Sequence, residues 1–87
     1  PYINDYLDYL EPKIQDVDYL LEWYADTSVN QVLRKSNQPK WALHYLNRAY
    51  QIDNNNKSVL NALATVYAAL GDTARANNYK SQADQAN

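Results

Sequence analysis

The side chains that could do chemistry are few and lie far apart. His44 is the single histidine and the chain has no cysteine, so neither a thiolate nucleophile nor a Cys–His metal site can be built. One glycine, Gly71, is too few for a glycine-rich phosphate loop. We therefore predict that the chain is not an enzyme and needs no metal or cofactor. His44 precedes an apolar helical position at Tyr45, and we expect its imidazole to face solvent.

Acidic residues gather at the start of the chain. The carboxylates of DYLDYL and DVD are of the type that binds Ca²⁺, but no glycine-bearing loop of the required spacing holds them, and we interpret them as solvated helix faces. Residues 1–26 carry seven acids and one base, whereas residues 27–87 carry seven bases and three acids. Two interpretations stay open: the two parts attract each other within the domain, or the acidic part meets a basic partner.

Charge and hydropathy exclude two partner classes. Arg34, Lys35 and Lys40 surround one loop, but nucleic-acid binding requires a basic stripe, and the net charge is −2. No run approaches the roughly 20 apolar residues of a membrane span, so we expect no membrane insertion by this segment. The chain opens on Pro1, and we expect a processed chain or a piece of a longer protein. Its compartment stays open between the cytoplasm and the outer part of a membrane protein.

Apolar spacing predicts an all-α fold in a single domain of 87 residues. The region 13–36 fits either two helices, with a fresh N-cap at 26–28, or one long helix. Elsewhere the expected helices are 2–10, 39–53, 57–70 and 73–83. The helix over 57–70 is apolar nearly all round, which predicts burial. Gly71 stands where a helix C-terminus needs positive φ.

A period of 34 residues relates the middle of the chain to its end. It aligns three pairs of small and aromatic positions: Ala42 with Ala76, Tyr45 with Tyr79, and Ala49 with Ala83. This is the period of a tetratricopeptide repeat. Leu60, Leu63, Ala64 and Tyr67, followed by Gly71-Asp72, fit the first helix and turn of that motif. The chain resembles the tetratricopeptide-repeat family over about one and a half repeats, residues 22–87.

The resemblance implies antiparallel helix pairs stacked as a short right-handed superhelix. It divides the chain into non-repeat N-terminal capping helices (1–21), a degenerate repeat (22–56) and a well-matched repeat (57–87). The sequence departs from the motif at Asp26 and Asn30, where apolar residues are expected, and at Lys80, where a large aromatic residue is common.

The resemblance also implies a function. In this family the first helices of the repeats line a concave face that binds extended peptides. By position, the upstream helix would contribute Tyr24, Thr27, Gln31 and Arg34. The downstream helix would contribute Ser58, Asn61, Thr65 and Ala68. We therefore expect a non-catalytic module that binds a peptide or partner protein. The alternative is a structural or homo-oligomerising domain of a larger, membrane-attached or secreted protein, whose tyrosine-rich first helix packs on a neighbouring chain.

Overall fold

A computed structural model describes the backbone of residues 2–86 and the side chains of residues 5–86. Within that range the regular structure is entirely helical, which confirms the predicted all-α class. In chain order the elements are α1 (Tyr2–Leu10), α2 (Val17–Asp26), a π-helical segment (Thr27–Lys35), α3 (Pro39–Ile52), α4 (Lys57–Ala69) and α5 (Thr73–Gln85).

Short polar side chains define where three of the helices begin. Asn56 Oδ1 accepts a hydrogen bond from the Val59 amide at 3.0 Å at the start of α4. Asp72 Oδ1 accepts one from the Arg75 amide at 3.0 Å at the start of α5. Asp16 does the same for α2. These caps satisfy amides that have no partner inside a helix.

The second helix begins later than the sequence predicts. Asp16 Oδ1 accepts hydrogen bonds from the amides of Asp18 at 3.0 Å and Tyr19 at 3.3 Å, so α2 begins at Val17. The prediction of a helix from Lys13 is wrong, because this cap ends an irregular connection over 11–16. Asp16 in extended backbone geometry (φ −76°, ψ 110°) interrupts any helix that would enter from its N-terminal side.

From Val17 to Lys35 the helix is continuous, so the single-helix alternative is confirmed over these residues. Asp26 has helical dihedral angles (φ −64°, ψ −46°) and its side chain makes no capping bond. After it the hydrogen bonds widen to five residues, and the last of them joins the Ser36 amide to the Gln31 carbonyl at 3.2 Å. Ser28 is fully buried and donates to the Ala25 carbonyl at 3.0 Å, so its hydroxyl is satisfied within the helix.

Helix α4 lies at the centre of the core, as its apolar sequence predicts. It packs against α5, α3, α2 and the π-helical segment. Its buried side chains point in several directions: Val59, Leu60, Ala62, Leu63, Ala64 and Val66. Small residues of neighbouring helices, among them Ala42, Ala49 and Ala83, are fully buried and let the helices approach closely.

Helix α1 is held to α3 by an apolar contact and an ionic one. Leu7 is 1% exposed and belongs to the core. Arg48 on α3 pairs with Asp8, and its Nη2 atom lies 2.9 Å from Oε2 of Glu11. For these two acids, the predicted attraction between the acidic and basic parts of the chain is confirmed.

Two turns with positive φ recur 34 residues apart. Asn37 has φ 51° and Gly71 has φ 82°. Each is followed by an N-cap residue (Gln38, Asp72) and then by a helix that begins at the same offset. The spacing read from side-chain types is therefore also a spacing of backbone conformations.

Replacing Gly71 by alanine tests this turn. A Cβ atom at Gly71 would meet nothing within 4 Å, so the cost of Gly71→Ala is one of backbone conformation alone, about 1 kcal/mol of unfolding free energy. Asn37→Gly is the matched control, and we expect a change below about 0.5 kcal/mol, because relieved strain is offset by a more disordered unfolded chain. Urea denaturation measures both. A neutral Gly71→Ala variant would show that the turn is not left-handed in solution.

Candidate functional site

The eight residues predicted for a concave face do not form one surface. Tyr24 is 0% exposed, and its ring packs edge-on against Trp23 with centroids 4.9 Å apart. Its prediction as a surface residue is wrong. The segment before α2, which the repeat pattern does not describe, covers this part of the helix, and Glu11 and Arg48 lie within electrostatic reach of the Tyr24 hydroxyl.

Thr27 and Gln31 line a groove of about 410 Å³ between α1, the π-helical segment and α3. We call it the aromatic groove after three of its lining residues, Tyr6, Trp41 and Tyr45. The rings of Tyr6 and Trp41 lie 6.1 Å apart at 60° to each other. They are 47% and 38% exposed, so they form an accessible edge, whereas Tyr45 is 4% exposed.

The polar lining of the aromatic groove is rich in hydrogen-bond donors. Besides Thr27 and Gln31 it includes Lys35, Ser36 and Gln38, and no carboxylate. Amide and hydroxyl groups both donate and accept, whereas an ammonium group only donates. In a chain with ten acidic residues, this lining carries a single charge, which is positive.

Asn61, Thr65 and Ala68 line a different groove, of about 480 Å³, between α4 and α5. We call it the alanine groove, because Ala64 and Ala76 also line it. The Thr65 hydroxyl donates to the Asn61 carbonyl at 3.0 Å, within its own helix. The alanine groove and the aromatic groove share no lining residue.

The remaining predicted residues, Arg34 and Ser58, take part in polar contacts near these grooves. Asp26 accepts from the Asn30 amide group at 2.6 Å, and Asn30 accepts from the Arg34 guanidinium at 3.0 Å. Ser58 donates to the Glu22 carboxylate and so joins α4 to α2. The two departures from the repeat motif, Asp26 and Asn30, are therefore members of one hydrogen-bonded ladder that holds the exposed Arg34 in place.

Three tyrosine hydroxyls have perturbed acidity. Burial raises the pKa of Tyr24 above its ordinary range; the nearby Glu11 raises it further and Arg48 opposes the shift. Burial also raises the pKa of Tyr45, to which Tyr6 adds, and the pKa of Tyr79, to which Tyr67 adds. The Tyr24 hydroxyl is enclosed and makes no hydrogen bond with the described residues, since neither Glu11 nor Arg48 meets it in the required geometry.

Reasoning from the sequence missed the exposed aromatic edge. Trp41 was assigned to the apolar face of α3, but it lies at the margin of that face. The Asp26–Asn30–Arg34 ladder follows the four-residue spacing at which helical side chains meet, so this spacing could have revealed it. The pairing of Arg48 with Asp8 and Glu11 spans about forty residues, and no local pattern indicates it.

Comparisons with protein-family models, curated proteins and solved structures give no match. Among the described residues, no group of three or more histidine or carboxylate side chains could hold a metal ion. None of the described helices has the length and apolar character needed to cross a membrane.

The substitution Tyr24→Phe removes the enclosed hydroxyl and keeps the ring. We expect it to raise the unfolding free energy by about 1 kcal/mol, because an unpaired polar group loses hydration on burial without a compensating bond. Tyr9→Phe is the control, since Tyr9 is 85% exposed and should show no change. Thermal and urea denaturation measure both variants. A loss of stability in Tyr24→Phe would instead assign a bonded role to the hydroxyl.

Proposed function

We propose that the chain is a non-catalytic protein-interaction module of the tetratricopeptide-repeat type, which binds a peptide or a partner protein in the grooves along its helices. The observation that carries the proposal is the recurrence, after 34 residues, of a positive-φ turn and a helix start. This is the period of that repeat family.

The packing supports a short right-handed superhelix. The π-helical segment and α3 form one packed pair, and α4 with α5 forms the next. Helix α4 packs on both its own partner and the preceding pair, as a stacked repeat requires. The buried alanines at equivalent positions, Ala42 with Ala76 and Ala49 with Ala83, are consistent with the same stacking.

The surface supports peptide binding over catalysis. The accessible residues that line the two grooves offer amides, hydroxyls and one aromatic edge, which suit contact with a peptide backbone and its side chains. Arg34 is exposed, and its tie to Asn30 leaves other guanidinium donors directed outwards.

Selection of binders from a displayed library of peptides tests the proposal. A triple variant, Gln31→Glu, Arg34→Glu and Asn61→Glu, should weaken binding of the selected peptides about tenfold or more, equivalent to about 1.4 kcal/mol. The matched control is Lys13→Glu, Asn47→Glu and Asn78→Glu, which changes the net charge equally at exposed positions outside both grooves. The proposal fails if the library yields no binder, or if the two triple variants bind alike.

A second candidate function is self-association through the N-terminal part. The observation that favours it is a set of exposed apolar and aromatic side chains before and at the start of α2: Tyr9 at 85%, Val17 at 51% and Tyr19 at 63%. Such residues are common in interfaces between proteins.

Sedimentation velocity over a wide concentration range separates the two functions. If self-association is the function, the chain should sediment as a dimer or larger species, and the double variant Tyr9→Ser and Tyr19→Ser should shift it to a monomer. A chain that remains monomeric at high concentration rules out the second candidate and leaves the first untouched.

A further inference from the structure

The aromatic groove has features that select one class of peptide. We infer that it binds a proline-rich segment in the polyproline II conformation, with an acidic residue at its end. The inference deepens the proposed function, on which it rests, by naming the chemistry of the partner.

The first argument concerns the aromatic edge. Tyr6 and Trp41 come from different helices, are both substantially exposed, and stand at 60° with their centroids 6.1 Å apart. Two tilted, accessible rings form a wedge that a flat, rigid apolar ring can enter. Grooves lined by aromatic residues are the recurring docking site for proline-rich segments.

The second argument concerns hydrogen bonding. A run of prolines has backbone carbonyls but no backbone N–H groups, so it can accept hydrogen bonds and cannot donate them. The lining supplies donors at Thr27, Gln31, Ser36, Gln38 and Lys35, and no carboxylate that would be left without a donor. In a polyproline II helix the backbone has no internal hydrogen bonds, so its carbonyls are available to these groups.

The third argument concerns charge. Lys35 is the one charged residue of the lining, and Arg34 and Lys40 flank the same turn in the chain. A carboxylate at the end of the bound segment would pair with this positive charge. The rest of the groove is uncharged, which fits the uncharged proline run. A preformed extended peptide also loses little conformational entropy on binding.

Peptides of stated composition provide the probe. The molecule measures 32 × 29 × 22 Å, and a ten-residue polyproline II segment is about 31 Å long, so eight prolines with one glutamate at each end cover the available surface. The comparison peptides carry eight prolines between two lysines, and a glycine–serine run between two glutamates. Fluorescence anisotropy of labelled peptides gives the affinities.

The acidic proline peptide should bind about tenfold more tightly than either comparison peptide. Trp41→Leu should weaken it about tenfold, whereas Tyr9→Ala, on the same helix as Tyr6 but outside the groove, should change it less than about twofold. Lys35→Glu should reverse the preference in favour of the lysine-ended peptide. Circular dichroism establishes that each variant is folded.

Indole N–H resonances locate the peptide independently of any loss of affinity. The chain has two tryptophans, and the Trp41 resonance is identified by its absence from Trp41→Leu. The acidic proline peptide should shift the Trp41 resonance and leave that of Trp23 in place.

Equal binding of the glycine–serine peptide, or an unshifted Trp41 resonance, overturns the inference. If library-selected peptides still bind and respond to the triple variant at Gln31, Arg34 and Asn61, the proposed function stands while the proline-rich partner does not. If neither kind of peptide binds, both proposals are wrong.

Discussion

The constraint on which the rest of the structure depends is the burial of α4. Its apolar side chains point in too many directions for one neighbouring helix to cover, so α2, the π-helical segment, α3 and α5 must surround it. A chain of 87 residues buries only a modest share of its surface, which makes this one central helix the main source of apolar burial. The alanines opposite it follow from the same demand, because only small side chains let flanking helices come close enough.

The N-terminal part is attached in a different way. Helix α1 contributes one core side chain, Leu7, and otherwise meets α3 through Arg48 and through the contact of Tyr6 with Trp41. Partly exposed ion pairs contribute little to stability, so Leu7 provides most of the attachment. The same helix supplies one wall of the aromatic groove. The shape of that groove therefore depends on a helix whose attachment is the slightest in the molecule.

Much of the fold could be predicted from the sequence, because its signals are local. The bounds of α3 and α4, the turn at Gly71 and the cap at Asp72 all follow from apolar spacing and turn chemistry within a few residues. The late start of α2 could not, because Asp16 competes with Pro12 as a helix start and only the folded chain shows which prevails. The site was harder still. The burial of Tyr24 and the exposure of Trp41 depend on where α1 lies, and contacts between distant segments leave no periodic trace in the chain.

The use of tyrosine where other cores use phenylalanine has a consequence for the response to alkali. The chain has nine tyrosines and no phenylalanine, and burial raises the pKa of Tyr24, Tyr45 and Tyr79. A phenol with a higher pKa in the folded than in the unfolded chain contributes stability that is complete below its unfolded pKa of about 10 and is lost as the pH rises through the folded value. Phenylalanine rings would impose no such limit. The hydroxyls that keep a thin core compatible with water therefore also couple folding to proton release, and they set an upper pH boundary on the folded state.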